Sequence, residues 1–176
     1  MKEEQMGVYV GTYKKYANGN LSGKWLRLLD YKDYDEFIEA CRKLHSDEKD
    51  PEFMFQDFMN IPYCLGGESY LENSLFDYAK QIEESKTIDA SVFYEFINHE
   101  GKMDDAVSVC EECFLPDEDF EDVLREAAEQ YLEDLIGSNF SAVYSYINFE
   151  AAKNIFRNNY YFKTSHFVFK KPEPSL

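Results

Sequence analysis

Residues 8–44, VYVGTYKKYANGNLSGKWLRLLDYKDYDEFIEACRKL, hold the pattern that decides the fold class. Val8, Tyr9, Val10, Thr12 and Tyr13 are β-branched or aromatic, residue types that fit a pleated, half-buried surface, and they predict a strand. Asn18-Gly19 supplies the positive φ of a tight turn, and Trp25, Leu26, Leu28 and Leu29 resume the apolar run, so the segment reads as a hairpin. The period then changes. Asp33 stands three residues before Glu36, the spacing of a capping box, and Phe37, Ile38, Cys41 and Leu44 recur at helical steps. A strand pair followed by an amphipathic helix predicts an α+β unit.

Outward from this stretch, the charged loop from Ser46 to Pro51 leads to a third strand over Glu52–Phe58, and the unit closes near Ile61-Pro62 as a domain of residues 1–61. From Ser69 the pattern is helical, with Leu71, Leu75, Phe76, Tyr78, Ala79 and Ile82 on one stripe and a second short helix over Asp89–Phe96. These make a helical middle domain, residues 62–106. After Pro116, Phe120, Val123, Leu124, Ala127, Tyr131, Leu132 and Leu135 predict one inward helix face that Gly137 ends. Its outward face carries Glu118, Asp122, Glu126, Glu129 and Glu133, with Arg125 as the internal counterion. A helix over Phe149–Asn158 capped by Asn148, then strands over Tyr160–Lys163 and Phe167–Lys170, predict a second α+β unit, residues 107–171, before a tail at 172–176.

The formal charge of the 176 residues is −17, yet 15 Phe and 14 Tyr are too many apolar rings for an unfolded acidic chain. Charge of that sign repels nucleic acid and anionic membranes and favours basic partners. It is also segregated: net −3 over residues 1–60, −7 over 61–110, −10 over 111–136 and +3 over 137–176. The candidate acidic surface is therefore Glu68, Glu72, Asp77, Glu83, Glu84, Glu95, Glu111 and Glu112, followed by Glu118, Asp119, Asp122, Glu126, Glu129, Glu133 and Asp134.

No apolar stretch is long enough to span a bilayer, and MKEEQMGVYV lacks the apolar core of a signal peptide, so a cytoplasmic protein is expected. Cys41, Cys64, Cys110 and Cys113 show no framework spacing and read as thiols. Cys110-Glu-Glu-Cys113 leaves a metal or redox role open as an alternative, while His45, His99 and His166 are scattered without a nucleophile. No catalytic residue, metal or cofactor is expected.

The sequence resembles the ArdA antirestriction proteins of bacterial mobile elements over nearly its whole length. The resemblance is carried by VYVGTY at 8–13, GKWLRLLDY at 23–31, DEFIEACRKLH at 35–45, DPEFMFQDF at 50–58, and YINFEAAKNIFRNNYYF at 146–162 with SHFVF following. It implies an elongated chain of three domains, two small α+β domains flanking a helical middle, dimerising through its C-terminal region. It further implies a non-enzymatic inhibitor that imitates bent B-DNA and occupies the DNA groove of type I restriction-modification enzymes, contacting the methyltransferase core and specificity subunit. The segment 146–162 resembles the family's antirestriction motif, which implies a motif or dimer-interface role for Tyr146, Asn148, Phe149, Glu150, Asn154, Phe156, Asn159, Tyr160 and Tyr161. Where the family pattern leads one to expect Asp, this chain has Asn148, Asn154 and Asn159, which keep hydrogen-bonding capacity without charge. That departure assigns the motif to the fold or dimer interface and leaves phosphate imitation to residues 61–136. An acidic module for another basic partner is the alternative reading.

Overall fold

Strand β1, Gly7–Thr12, is the centre of a three-stranded antiparallel sheet, with β2, Lys24–Arg27, on one side and β3, Phe53–Met59, on the other. Its central place explains its composition, since Val8 and Val10 are both fully buried. The computed structural model describes residues 5–115 and 120–172, apart from the side chains of Phe156, Tyr160 and Phe162. Two compact units result, one reaching Glu111 and one starting at Glu112. The architecture is mixed helix and strand with small sheets.

The expected hairpin is present as a pairing, with Val8 opposite Leu26 and Tyr9 opposite Trp25, but its connection differs. Tyr13 does not continue the strand. Thr12 accepts a hydrogen bond from the Lys15 amide and starts a short helix, α1, Tyr13–Ala17. Gly19, at φ +71°, then turns the chain toward β2. On the other side, Tyr9 faces Asp57 and Val10 faces Phe55, so Gln56 is the extra residue of a β-bulge. A Cβ on Gly11 would meet the Gln56 side chain at 2.7–2.9 Å, so the glycine leaves room for it.

Helix α2, Tyr34–Leu44, starts where its cap was expected. Asp33 accepts from the Glu36 amide at 3.0 Å, and the Glu36 carboxylate reaches back to the Lys32 amide. Its buried face presents Phe37 and Cys41, and the Phe37 ring meets those of Tyr31, Phe55 and Phe76 at 5.4–6.1 Å. Burial pushes the Cys41 thiol up to about 12, so this cysteine is an inert core residue. The stripe assigned from Ser69 starts later. Gly66–Gly67 and Tyr70–Leu71 pair as strands β4 and β5, and helix α3 runs Ser74–Glu84 with Leu75, Phe76, Ala79 and Ile82 buried. Leu71 is thus a buried strand residue, outside the helical stripe. Helix α4, Ala90–Glu100, is capped by Asp89, which accepts from Ser91 and Val92, and it runs one turn beyond the expected Phe96. Helix α5, Ala106–Cys113, carries the Cys110–Cys113 spacing.

In the second unit a two-residue strand β6, Phe114–Leu115, pairs with β8, Val168–Lys170, which in turn pairs with β7, Tyr161–Lys163. The long helix α6 is Phe120–Ile136, ended by Gly137 at φ +63°. Its expected inward face is corrected by the structure. Leu124 and Ala128 are buried, but Tyr131 and Leu135 are 50% and 69% exposed. Periodicity marks which residues share a face, and does not say how much of that face the fold covers. After α7, Phe140–Val143, helix α8 spans Phe149–Tyr160, and Asn148 caps it by accepting from the Ala151 amide at 3.1 Å. Pro116, Glu118 and Asp119 lie outside the described residues, as do 173–176 of the expected tail.

One buried polar cluster in the first unit sets a pH dependence. The His45 ring is 1% exposed, Lys15 Nζ lies 2.9 Å from its Nδ1, and its Nε2 lies 3.2 Å from the Val10 carbonyl. Lysine only donates, so Nδ1 accepts and Nε2–H donates to Val10, which requires the neutral ring. Burial first, with the nearby Lys15 charge adding to it, pushes the His45 pKa below its ordinary value, against the opposing pull of the Val10 bond and of Asp47 and Glu48. A lowered folded-state value means stability that is complete above the unfolded value near 6.5 and is lost as pH falls through the folded one. Thermal melts between about pH 7 and pH 5 are expected to fall more steeply for the native chain than for His45→Gln. Parallel slopes would show that the ring does not titrate in the fold.

Candidate acidic interaction surface

The acidic candidates of the first unit are held by different local structures. Glu68 belongs to the β4–β5 turn and is exposed there. Glu72 pairs with Lys102 at 3.0 Å, and Asp77 lies 3.5 Å from Lys80 one turn along α3. Glu83 and Glu84 are exposed at the end of α3. Asp30 chiefly holds the Arg27 guanidinium above its ordinary range, and Glu83 adds to that field. Glu95 is half-buried on α4, and Glu111 accepts from the Ser85 hydroxyl.

In the second unit Glu112 is exposed, and α6 projects Asp122, Glu126, Glu133 and Asp134 into solvent. Among the described residues no cation lies within ion-pair distance of Glu84, Glu112, Asp122, Glu126 or Glu133. Asp134 accepts from the Gln130 amide at 3.1 Å, a neutral partner that leaves its charge uncancelled. Asp122, Glu126 and Glu133 fall on one face at axial steps of about 6 and 10 Å. One DNA strand carries a phosphate per roughly 3.4 Å, so a single helix gives a sparser field than one strand.

Glu129 is the carboxylate of the row that the expected counterion Arg125 reaches, and it has a second partner besides. Its carboxylate accepts from the Tyr144 hydroxyl at 2.9 Å and from Arg125 Nε at 3.0 Å, and these two bonds, Tyr144 first, hold its pKa below the usual carboxylate range. It ties α6 to the segment that follows α7.

The charges on α8 also have internal partners. Lys153 reaches Glu121 of α6 at 3.1 Å and Glu150 at 2.7 Å, and Arg157 donates to the same Glu121. The Lys153 hydrogen bond is the chief reason the Glu121 carboxyl is held low, with Arg157 adding to it. Glu121, Lys153 and Arg157 did not stand out by pattern alone. Lys153 and Arg157 are one turn apart, so a shared face was visible in their spacing, but their common anion lies more than thirty residues away. Glu121→Lys is expected to lower the melting temperature of the second unit by placing like charges together. The double variant Glu121→Lys/Lys153→Glu is expected to recover part of the loss in the same melt.

Within 146–162, Tyr146 is 86% exposed and Asn159 is exposed, whereas Tyr161 is 9% exposed and meets the Phe120 ring at 5.6 Å. Phe149 lies 4.9 Å from the Tyr144 ring, Asn154 accepts from Arg157 at 3.2 Å, and Asn148 is the helix cap already described. The side chains of Phe156 and Tyr160 lie outside the described residues. Part of the motif therefore builds its own unit.

Among the described residues no group of three His, Cys, Asp or Glu side chains is placed to hold a metal ion, and no helix is long and apolar enough to cross a membrane. No curated protein matches the chain at a significant level. The family model described as antirestriction protein ArdA matches residues 8–170, nearly the full length and every element of both units. The chain belongs to the ArdA family of antirestriction proteins.

Proposed function

We propose that this protein is a non-enzymatic inhibitor of type I restriction-modification enzymes that holds carboxylates where the bound DNA would hold phosphates. Family membership supplies the antirestriction role, and the row of carboxylates Asp122, Glu126 and Glu133 on one exposed helix face, without an ion-pair partner among the described residues, supports the mechanism. Groups fixed by the fold lose little freedom on binding, and a decoy built in the bound shape spares the enzyme a DNA deformation cost of order 1–6 kcal/mol. Partners that read phosphate positions and not base edges lose the means to distinguish target sequences, so inhibition extends across recognition sites. Modification is then blocked together with restriction.

The working form on this reading is a homodimer of three-domain chains acting in the cytoplasm. Support for dimerisation comes from the second unit, where Leu135, Tyr146 and Ile155 are 69%, 86% and 59% exposed in the single chain. The +3 net charge of residues 137–176 spares a two-fold interface there the repulsion that the acidic middle would bring. Two copies carry twice the −17 charge, equivalent to about 58 Å of duplex.

The test is displacement of DNA from a purified type I methyltransferase at two ionic strengths, with the inhibitor's mass measured in the same buffer. Affinity is expected to fall roughly tenfold or more between 50 and 200 mM salt. A flat salt dependence would sink the electrostatic account, and a monomeric mass at inhibitory concentration would remove the dimer.

A further inference from the structure

An open groove of about 490 Å³ in the first unit lies between the end of β3 and helix α4, with Asp57, Phe58, Met59, Tyr63 and Tyr94 among its lining residues. Tyr63 is 77% exposed, an unusual place for a large ring, yet it is held. Its amide donates to the Asn98 side chain at 2.9 Å, and its ring meets that of Tyr94 edge to face at 5.8 Å. The neighbouring Tyr63 phenol is the chief cause of a raised Tyr94 pKa, with partial burial second. Asp57 is exposed at the groove and gives one carboxylate oxygen to the Phe58 amide at 2.9 Å, which fixes its orientation and leaves the other oxygen open.

Two tyrosine rings, an apolar floor and an oriented carboxylate make up the chemistry that recognises a guanidinium. The planar cation stacks on an aromatic face while its N–H groups donate to the carboxylate, and the alkyl stem covers Phe58 and Met59. A compact ammonium uses less of this arrangement. A nucleobase could stack on the same rings, but its phosphate would come close to Asp57 in a chain of net charge −17. We infer that this groove receives an arginine side chain of the protein partner, adding an anchor of defined shape to an otherwise diffuse electrostatic contact. The identity of that partner as a basic DNA-binding enzyme rests on the function proposed above; the guanidinium preference rests on the groove alone.

The test has two arms, both on the full chain. With tyrosine rings labelled for NMR, N-acetyl-arginine amide is expected to shift the Tyr63 and Tyr94 signals saturably, and N-acetyl-lysine amide to need several-fold more. N-acetyl-leucine amide is expected to leave them in place. Asp57→Asn is expected to weaken the arginine response several-fold, and Tyr63→Ala to abolish it at Tyr94. Shifts that spread without saturation, or an equal response to the leucine compound, overturn the proposal. In the second arm Tyr63→Ala is expected to displace DNA from the methyltransferase about tenfold less well, with Tyr63→Phe close to the native chain. Native-level displacement by Tyr63→Ala removes the groove from the interface and overturns the proposal, while leaving the DNA-mimic reading intact. Failure of the native chain to displace DNA sinks that reading, and the amide titration still decides the guanidinium site.

Discussion

Replacing Asp122, Glu126 and Glu133 together by lysine is expected to raise the concentration needed for half-inhibition of a type I methyltransferase at least tenfold. The three carboxylates share one exposed face of α6, and among the described residues no cation lies within ion-pair distance of them, so each can present its charge to a partner. An exposed ion pair is worth about 0.2–1 kcal/mol, and reversal replaces attraction by repulsion of similar size. Three reversals then amount to about 1–6 kcal/mol, which brackets a loss of tenfold or more. Glu129 is deliberately spared. Its bonds to Arg125 and Tyr144 tie α6 to the segment that follows α7, and changing it would mix lost stability with lost contact. A melting temperature at the native value beside undiminished inhibition would exclude this face from the contact surface.

Phe37→Ala is expected to cost the first unit about 3–5 kcal/mol, measured by chemical denaturation, a large share of the roughly 5–15 kcal/mol that holds a typical domain. The ring is fully buried and joins α2 to β3 through Phe55 and to α3 through Phe76. Its removal leaves a cavity bounded by three elements that cannot all close on it. The second unit has its own core around Leu124, Val168 and Phe169, so loss of structure is expected to begin in the first. A cost below about 1 kcal/mol would mean that the site collapses freely and that the aromatic cluster is not the organiser of this unit.

What was legible in the chain was whatever local chemistry announced. Asp33 and Asn148 marked the starts of α2 and α8 because their side chains bond amides three residues ahead, within the reach of a sequence window. Strands β1 and β3 were visible through their aromatic and β-branched content. Strand β6 has no such signal. Two residues, Phe114 and Leu115, become a strand because Phe169 and Val168 lie beside them, more than fifty positions away. The bounds of helix α5 were hidden by its brevity, its eight residues giving little more than two turns of periodicity.

The same limit applied to charge. Composition located the excess acid between residues 61 and 136, but it could not separate a carboxylate spent on the fold from one left for a partner. Glu129 and Asp122 look alike in sequence. The hydroxyl that distinguishes them, Tyr144, lies fifteen residues beyond Glu129 and arrives through a turn that no pattern specified. Tyr131 and Leu135 failed in the opposite sense, reading as core by period while half or more of each side chain is exposed.

The cap at Asn148 has a genetic consequence. An aspartate would accept the same bond from Ala151 about equally well, since the two residue types rank together as helix starts. Their codons differ by one nucleotide. A single base substitution therefore adds or removes a negative charge at the head of α8 with little penalty to the helix, so the charge of this segment can change in one mutational step while its fold is kept.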